Sequence, residues 1–222
     1  RKAVREFIRR GAETIKIFTS SGHGGLPWPV PRNMDRDEIA AVVQAAHNRG
    51  AMVRAHVATR EMIRECVELG VDIIDHGDEM DEEILAMMAE RGTFWVPSLV
   101  YPSCMVALGW ADAALPGQIE NVKVMLPLAQ KAGVRVLIGD DYSGVFRDVL
   151  ADDPLDHKVG DYGREFAFYG ALPGLTPAEV LSWGTANAGA ALTGGRDRLG
   201  GGEAGGPGGP RGGGRGPPGA PG

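Results

Sequence analysis

The chain has 222 residues, a net charge of −6 and a pI near 5.4. That acidic balance argues against nucleic acid or an anionic membrane as a partner, since either would want a basic face, and no apolar run reaches the roughly 18–20 residues needed to span a bilayer. Two cysteines without framework spacing, Cys66 and Cys104, predict a reduced, cytoplasmic protein.

Along the chain, residues 2–10 predict the end of a helix, stopped by Gly11. A β-rich strand follows at 14–18, then a Gly- and Pro-rich loop over 19–34 that carries His23. Asp35, with Glu38 three residues on, is a helix N-cap for a segment running through 49. Next come a strand at 52–56, a helix at 59–69, a strand at 71–75 and a helix at 81–91. A strand at 93–96 is closed by Pro97, and a long loop over 98–114 follows. A helix at 118–131 leads through Gly133 to a strand at 134–138. A second long loop precedes a helix near 162–169 and a last helix at 177–192. Residues 200–222 are almost only Gly, Pro, Arg and Ala, too poor in apolar surface to offset their ordering entropy, so a disordered tail is expected.

Strands alternate with helices without a tight hairpin signal, which predicts parallel pairing through right-handed crossovers. An open doubly wound sheet and a (β/α)8 barrel both fit this order. Reactive residues at the ends of four strands favour the barrel, which gathers all its strand ends around one axis. The expectation is an α/β domain over 1–199, a partial TIM-type barrel of about strands 4 to 8, with its first strands before Arg1.

A glycine, a short apolar strand and a reactive residue recur as Gly11 to Lys16, Gly50 to His56, Gly70 to His76, and Gly133 to Asp140-Asp141. Lys16 lies in mid-strand, on the side opposite Ile15 and Ile17. As a lone buried amine it would tend to lose its proton and could take up carbon dioxide as a carbamate. His56 and His76 close neighbouring strands, and imidazole is the usual ligand for zinc-like ions. A carboxylate at Asp140 or Asp141 can serve as ligand and proton shuttle. Each residue also has a structural reading: a snorkelling lysine, hydrogen-bonded histidines, a turn-capping carboxylate.

Together, Lys16 in Ile-Lys-Ile, His56 in Arg-Ala-His, His76 in Ile-Asp-His-Gly, and Gly139-Asp140-Asp141 resemble the metal-dependent amidohydrolase superfamily. The likeness is greatest to its imidazolonepropionase-like and Xaa-Pro dipeptidase-like branch. This resemblance implies that Lys16, carboxylated by carbon dioxide, bridges two divalent ions, usually zinc. His56 and His76 would hold one ion, with Asp141 as the strand-end ligand and catalytic proton carrier. It implies hydrolysis of C–N bonds in small amides or peptides by a metal-bound hydroxide. The His-x-His pair that the family carries on its first strand does not occur in this sequence, so one ion or two are expected only in a complete protein.

His23 and Tyr101 are candidate substrate contacts, as are His157 and Arg147 in the long loop after Asp141. Trp28 and Trp110 could line a pocket. His47 and the acidic run 78–83 read as structural, the run as a helix start. The expected partner is a small-molecule amide or peptide substrate, and a homo-oligomer is compatible with this reading. Two rivals are a non-catalytic, truncated or degenerate barrel segment and a metal-free phosphate-binding barrel. The second leaves Lys16, His56 and His76 unexplained.

Overall fold

The computed structural model describes residues 1–23, 31–139, 141 and 163–192. Five parallel strands, β1 (Thr14–Phe18), β2 (Met52–Val57), β3 (Ile73–His76), β4 (Phe94–Val96) and β5 (Arg135–Val136), pair in chain order. Chain order without a reversal is the topology of an arc of barrel, whereas a doubly wound sheet reverses its order at a switch point.

Helices α1 (Lys2–Arg9), α2 (Arg36–His47), α3 (Arg60–Glu68), α4 (Glu82–Arg91) and α6 (Leu115–Ala132) lie between or before the strands. They share one apolar core with Ile15, Ile17, Val53, Val57, Ile74, Trp95 and Val136. Alternating residues of the same strands face the other way, where Ile73, Phe94, Val96 and Leu137 form a second, smaller cluster. Period-two alternation therefore sorts each strand into a helix-covered face and an inner face. Toward the N-terminal ends of the strands the inner face opens into a cleft of about 940 Å³, lined by Met52, Arg54, Ile73 and Leu137 among others.

The strand and helix ends follow local chemistry. Asp35 caps α2 in a capping box, its backbone N–H donating to Glu38 Oε2 at 2.9 Å. Asp81 caps α4, accepting from the Ile84 N–H at 2.8 Å, and Gly92 ends it in the left-handed region at φ 70°.

Two expectations are corrected. Within the loop expected over 98–114 the chain forms helix α5 (Val100–Ala107). Pro102 sits in its first turn, where a missing N–H costs nothing, so the proline marks a helix start. The final helix expected over 177–192 is two, α8 (Pro177–Gly184) and α9 (Ala186–Leu192), broken at Thr185, whose φ is −122°. The break sends Ala188, Ala190 and Ala191 onto the inner-face cluster, and Asn187 Nδ2 donates to the Val136 carbonyl at 2.9 Å. Helix α7 (Gly163–Gly170) stands close to its expected place. Trp28, Asp140, Arg147, His157 and the tail 200–222 lie outside the described residues.

At the end of β3, Gly77 has φ 66°, and a Cβ there would stand 2.9 Å from both Met80 Cε and Trp95 Nε1. Gly117, in the first turn of α6, has nothing among the described residues within 4 Å of the same position. Chemical denaturation should therefore separate them. Gly77→Ala should destabilise by about 1–3 kcal/mol, and Gly117→Ala should stabilise by roughly 0.5–1 kcal/mol.

Candidate metal centre

Parallel register brings the polar residues of three strands to one end of the inner face. Lys16 lies beside Arg54, and His56 lies between Phe18 and Asp75. The Asp75 carboxylate is buried, with 1% of its side chain exposed, and it is shared by two cations. Lys16 Nζ donates to Oδ2, and Arg54 Nε donates to Oδ1 and Oδ2 at 2.7 and 2.8 Å. Lys16 thus points inward as its position in the strand predicts. It is not a lone buried ammonium, however, since it is ion-paired and its side chain is 38% exposed.

His76 ends β3 in register with Val57, so simple alternation would aim it at the helices. Its backbone is left-handed, φ 68°, and the ring instead lies against two other imidazoles. Its centroid is 4.4 Å from that of His56, edge on, and 3.7 Å from that of His23, stacked. Trp95 Nε1 donates to the His76 carbonyl at 2.7 Å and locks this turn. Burial first, then the neighbouring His23 and His56, hold the His76 pKa well below the usual histidine range. His56 is lowered to about 4, by burial and then by His23 and Lys16. Both rings therefore keep a lone pair near neutral pH. Among the described residues, Nδ1 of His76 is buried without a hydrogen-bond partner, a costly condition that a ligand would relieve.

His23 is buried too, at 5% exposure, and its Nδ1 is 2.8 Å from Asp78 Oδ1 while Nε2 is 3.2 Å from the Ser98 carbonyl. Both partners accept, so both ring nitrogens donate. Burial disfavours the charged ring, but the charge and hydrogen bond of Asp78, helped by Asp141 and Ser98, more than offset it and raise the His23 pKa. Among the described residues His23, His76, Ser98 and Asp141 are the non-glycine residues with positive φ, at 59°, 68°, 52° and 50°. All four meet here, and such concentrated backbone strain is typical of functional sites.

His23, His76 and Asp141 each offer a ligand atom, and these atoms lie within 4.8 Å of one another. Two imidazoles and a carboxylate suit a divalent ion of the zinc type. Asp141 is exposed at the mouth. Tyr101, at the start of α5, stacks 6.0 Å from His23, and burial, then Asp141, raises its pKa. Phe18 stacks on His56 at 4.9 Å. His47 lies at the other end of β3, 2.8 Å from Asp72, in keeping with a structural role.

Several residues here carried no functional signal in the sequence. Asp78 reads as part of an acidic helix start, yet it is buried on His23, and Asn121 Nδ2 pins its loop by donating to the Asp78 and Met80 carbonyls at 3.0 and 2.9 Å. Tyr169 and Glu165 of α7, both fully buried, support the start of α5. Tyr169 Oη accepts from the Leu99 N–H at 2.9 Å, and Glu165 Oε1 accepts from the Val100 N–H at 3.1 Å. The only available sign was the position of Asp78 directly after the His76-Gly77 strand end.

An arc of parallel barrel thus carries buried imidazoles and a carboxylate at its strand ends. The chain belongs to the Amidohydrolase family, whose model matches residues 1–205. It is similar to the ochratoxinase of Aspergillus niger, at 27% identity over 197 residues, covering 85% of this chain and 38% of that protein. An uncharacterized protein of Mycobacterium tuberculosis is 29% identical over 146 residues, 63% of this chain and 39% of its own length. The crystal structure of A. niger ochratoxinase superposes with a TM-score of 0.74 at 25% identity, covering 90% of this chain and 45% of that one. A Xaa-Pro dipeptidase with bound methionine in its active site gives 0.67 at 27% identity, covering 92% and 49%. The chain thus spans less than half the length of these relatives.

The histidine pKa values set a pH response. His56 falls to about 4 in the folded chain from an ordinary value of 6.5, so between these limits the unfolded chain binds more protons and stability rises with pH. Stability due to neutral His56 should be complete above pH 6.5 and lost as pH falls toward 4; His76 acts in the same direction and His23 in the opposite one. Thermal melts should show His56→Gln with a flatter dependence than the unsubstituted protein across this window.

Proposed function

We propose that this chain carries the strand-end ligands of a metal-dependent hydrolase of C–N bonds in small amides or peptides. Candidate substrates are a dipeptide, an N-acyl amino acid or a cyclic amide. The observation that carries this reading is His76, a buried imidazole whose Nδ1 has no hydrogen-bond partner among the described residues, with the His56 ring 4.4 Å away edge on and a ligand atom of Asp141 within 4.8 Å. Family membership supports the reaction class, and the names of two relatives, an ochratoxinase and a Xaa-Pro dipeptidase, support an amide or peptide substrate.

His76 and His56 would hold a divalent ion with Asp141, and Lys16 would join them as a carbamate. When bound, the ion polarises the amide carbonyl and lowers the pKa of water. The chain's own residues do the remainder. Asp141, exposed at the mouth, accepts a proton from the attacking water and delivers it to the departing nitrogen. Neutral His56 and His76 present lone pairs without first having to shed protons. For Lys16 to become an anion it must leave Asp75, and Arg54 then remains as the counter-charge of that buried carboxylate. Tyr101 keeps its proton and can donate to a substrate carboxylate.

Assays with N-acyl amino acids and Xaa-Pro dipeptides test this in the protein that carries the chain. A chelator should abolish hydrolysis, and added Zn²⁺ should restore it. His76→Ala should lower kcat/KM by about a hundredfold or more, and Lys16→Ala should also remove hydrolysis. An undiminished rate after exhaustive chelation would overturn the proposal.

A further inference from the structure

We propose that Glu165 and Tyr169 of α7 hold the corner between β4 and α5 so that Tyr101 can receive a substrate carboxylate. They are positioning residues, and the substrate class they imply is an N-acyl amino acid or a dipeptide with a free carboxylate. This rests on the hydrolase reading of the strand-end site and leaves its ligands as assigned. It adds the charged end of the substrate and the residues behind its contact.

The corner is held from a distance. β4 ends at Val96, Ser98 is left-handed at φ 52°, and α5 starts at Val100. Leu99 stands at the N-cap of α5 and gives it no side-chain cap. The backbone groups there are met by other parts of the chain. The Ser98 carbonyl accepts from His23 Nε2 at 3.2 Å, the Leu99 N–H donates to Tyr169 Oη at 2.9 Å, and the Val100 N–H donates to Glu165 Oε1 at 3.1 Å. Three consecutive residues are thus fixed by side chains 65 to 75 positions away.

The support is itself anchored. Glu165 and Tyr169 stand four residues apart on one face of α7, and both are fully buried. A buried carboxylate is unfavourable unless hydrogen bonds compensate it, so Glu165 is explained by the backbone it holds and not by packing. Tyr169 packs edge on against Trp183, with 5.5 Å between centroids, and Trp183 Nε1 donates to Gln130 of α6 at 3.0 Å. What the corner presents to the site is Tyr101, in the first turn of α5. Its ring lies 6.0 Å from that of His23, which stacks in turn 3.7 Å from His76. Burial, then Asp141, raises the Tyr101 pKa, so its hydroxyl keeps its proton within reach of the field of that carboxylate. A protonated phenol is a suitable donor to a carboxylate. His23 beside it faces two acceptors and bears a proton on each nitrogen, which favours an anionic group over a neutral one.

Kinetics of the metal-loaded protein that carries this chain test the inference, with an N-acyl amino acid and with the matching N-acyl amine that lacks the carboxylate. Tyr169→Phe and Glu165→Gln should each raise KM for the acid about tenfold, with kcat within about twofold, and leave KM for the amine within about twofold. In a Tyr101→Phe background, Tyr169→Phe should raise KM by less than about twofold further, because its effect runs through Tyr101. Two readouts need no turnover. In the unsubstituted full chain, the Leu99 and Val100 N–H groups should exchange with solvent at least about 100-fold more slowly than the uncapped first-turn N–H groups of α1. A nuclear Overhauser contact should join the Tyr101 and His23 rings and weaken in Tyr169→Phe. Equal losses on both substrates, losses confined to kcat, full additivity with Tyr101→Phe, or rapid exchange at Leu99 and Val100 would each overturn it. A protein that hydrolyses neither substrate, yet loses the Tyr101–His23 contact in Tyr169→Phe, would sink the proposed function and leave the hold on Tyr101 standing. Chelator-sensitive hydrolysis with both KM values unmoved in Tyr169→Phe and Glu165→Gln would do the reverse.

Discussion

The turn at His76-Gly77 is the constraint on which the rest of the site depends. Two consecutive left-handed residues end β3, and the second must be glycine because side chains of Met80 and Trp95 fill the space where a Cβ would stand. The reversal moves the His76 ring off the helix side and against His23 and His56, and it presents the His76 carbonyl to Trp95. It also brings the next residues back across β2. The Gly77 N–H bonds the Val57 carbonyl and the Glu79 N–H bonds the Ala58 carbonyl, both at 3.0 Å, and these bonds carry Asp78 under His23. A straight continuation of β3 would have placed His76 among the helices and Asp78 away from any partner.

Around that turn the site divides into two electrostatic halves. On the inner face, Asp75 is neutralised by Lys16 and Arg54, a buried carboxylate with two cations and therefore well compensated. Beside it three imidazoles crowd together; burial first, then the neighbouring His23, lowers the pKa of His56 and His76, while Asp78 raises that of His23 against its own burial. Near neutral pH the cluster therefore combines free lone pairs with one anchored ring. Helix α7 supports this arrangement from a distance. Glu165 and Tyr169 hold the first N–H groups of α5, and the residue just before them, Ser98, supplies the carbonyl that faces His23.

Much of the fold was legible because its signals are local. Glycine stops, the Asp35 cap, the acidic helix start at 78–83 and the alternation of Ile15 and Ile17 around Lys16 act within a few residues, and the elements they mark stand within a few residues of their expected places. Helix α5 was not legible, because its proline reads as a breaker and two side chains from α7, distant in sequence, support its first turn. Nor was the break at Thr185, since what favours it is an inner-face cluster assembled from three strands and Leu137, just past β5. At the site, Lys16 stood out in mid-strand between Ile15 and Ile17, and His56 and His76 by their place at strand ends. Asp75, Asp78 and Ser98 did not, because each acquires its role only by meeting a residue far away in the chain.

By itself, the sequence determined a parallel β/α order, a strand facing inward at Lys16, and a set of metal-competent residues at successive strand ends. Those follow from periodicity and from residue type, which need no knowledge of neighbours. Only the tertiary structure decided which of these residues touch. It paired Lys16 with Asp75, gave His23 a buried carboxylate, and turned His76 against the alternation of its strand. Such choices depend on register, burial and backbone handedness acting together, and no single stretch of the chain contains all three.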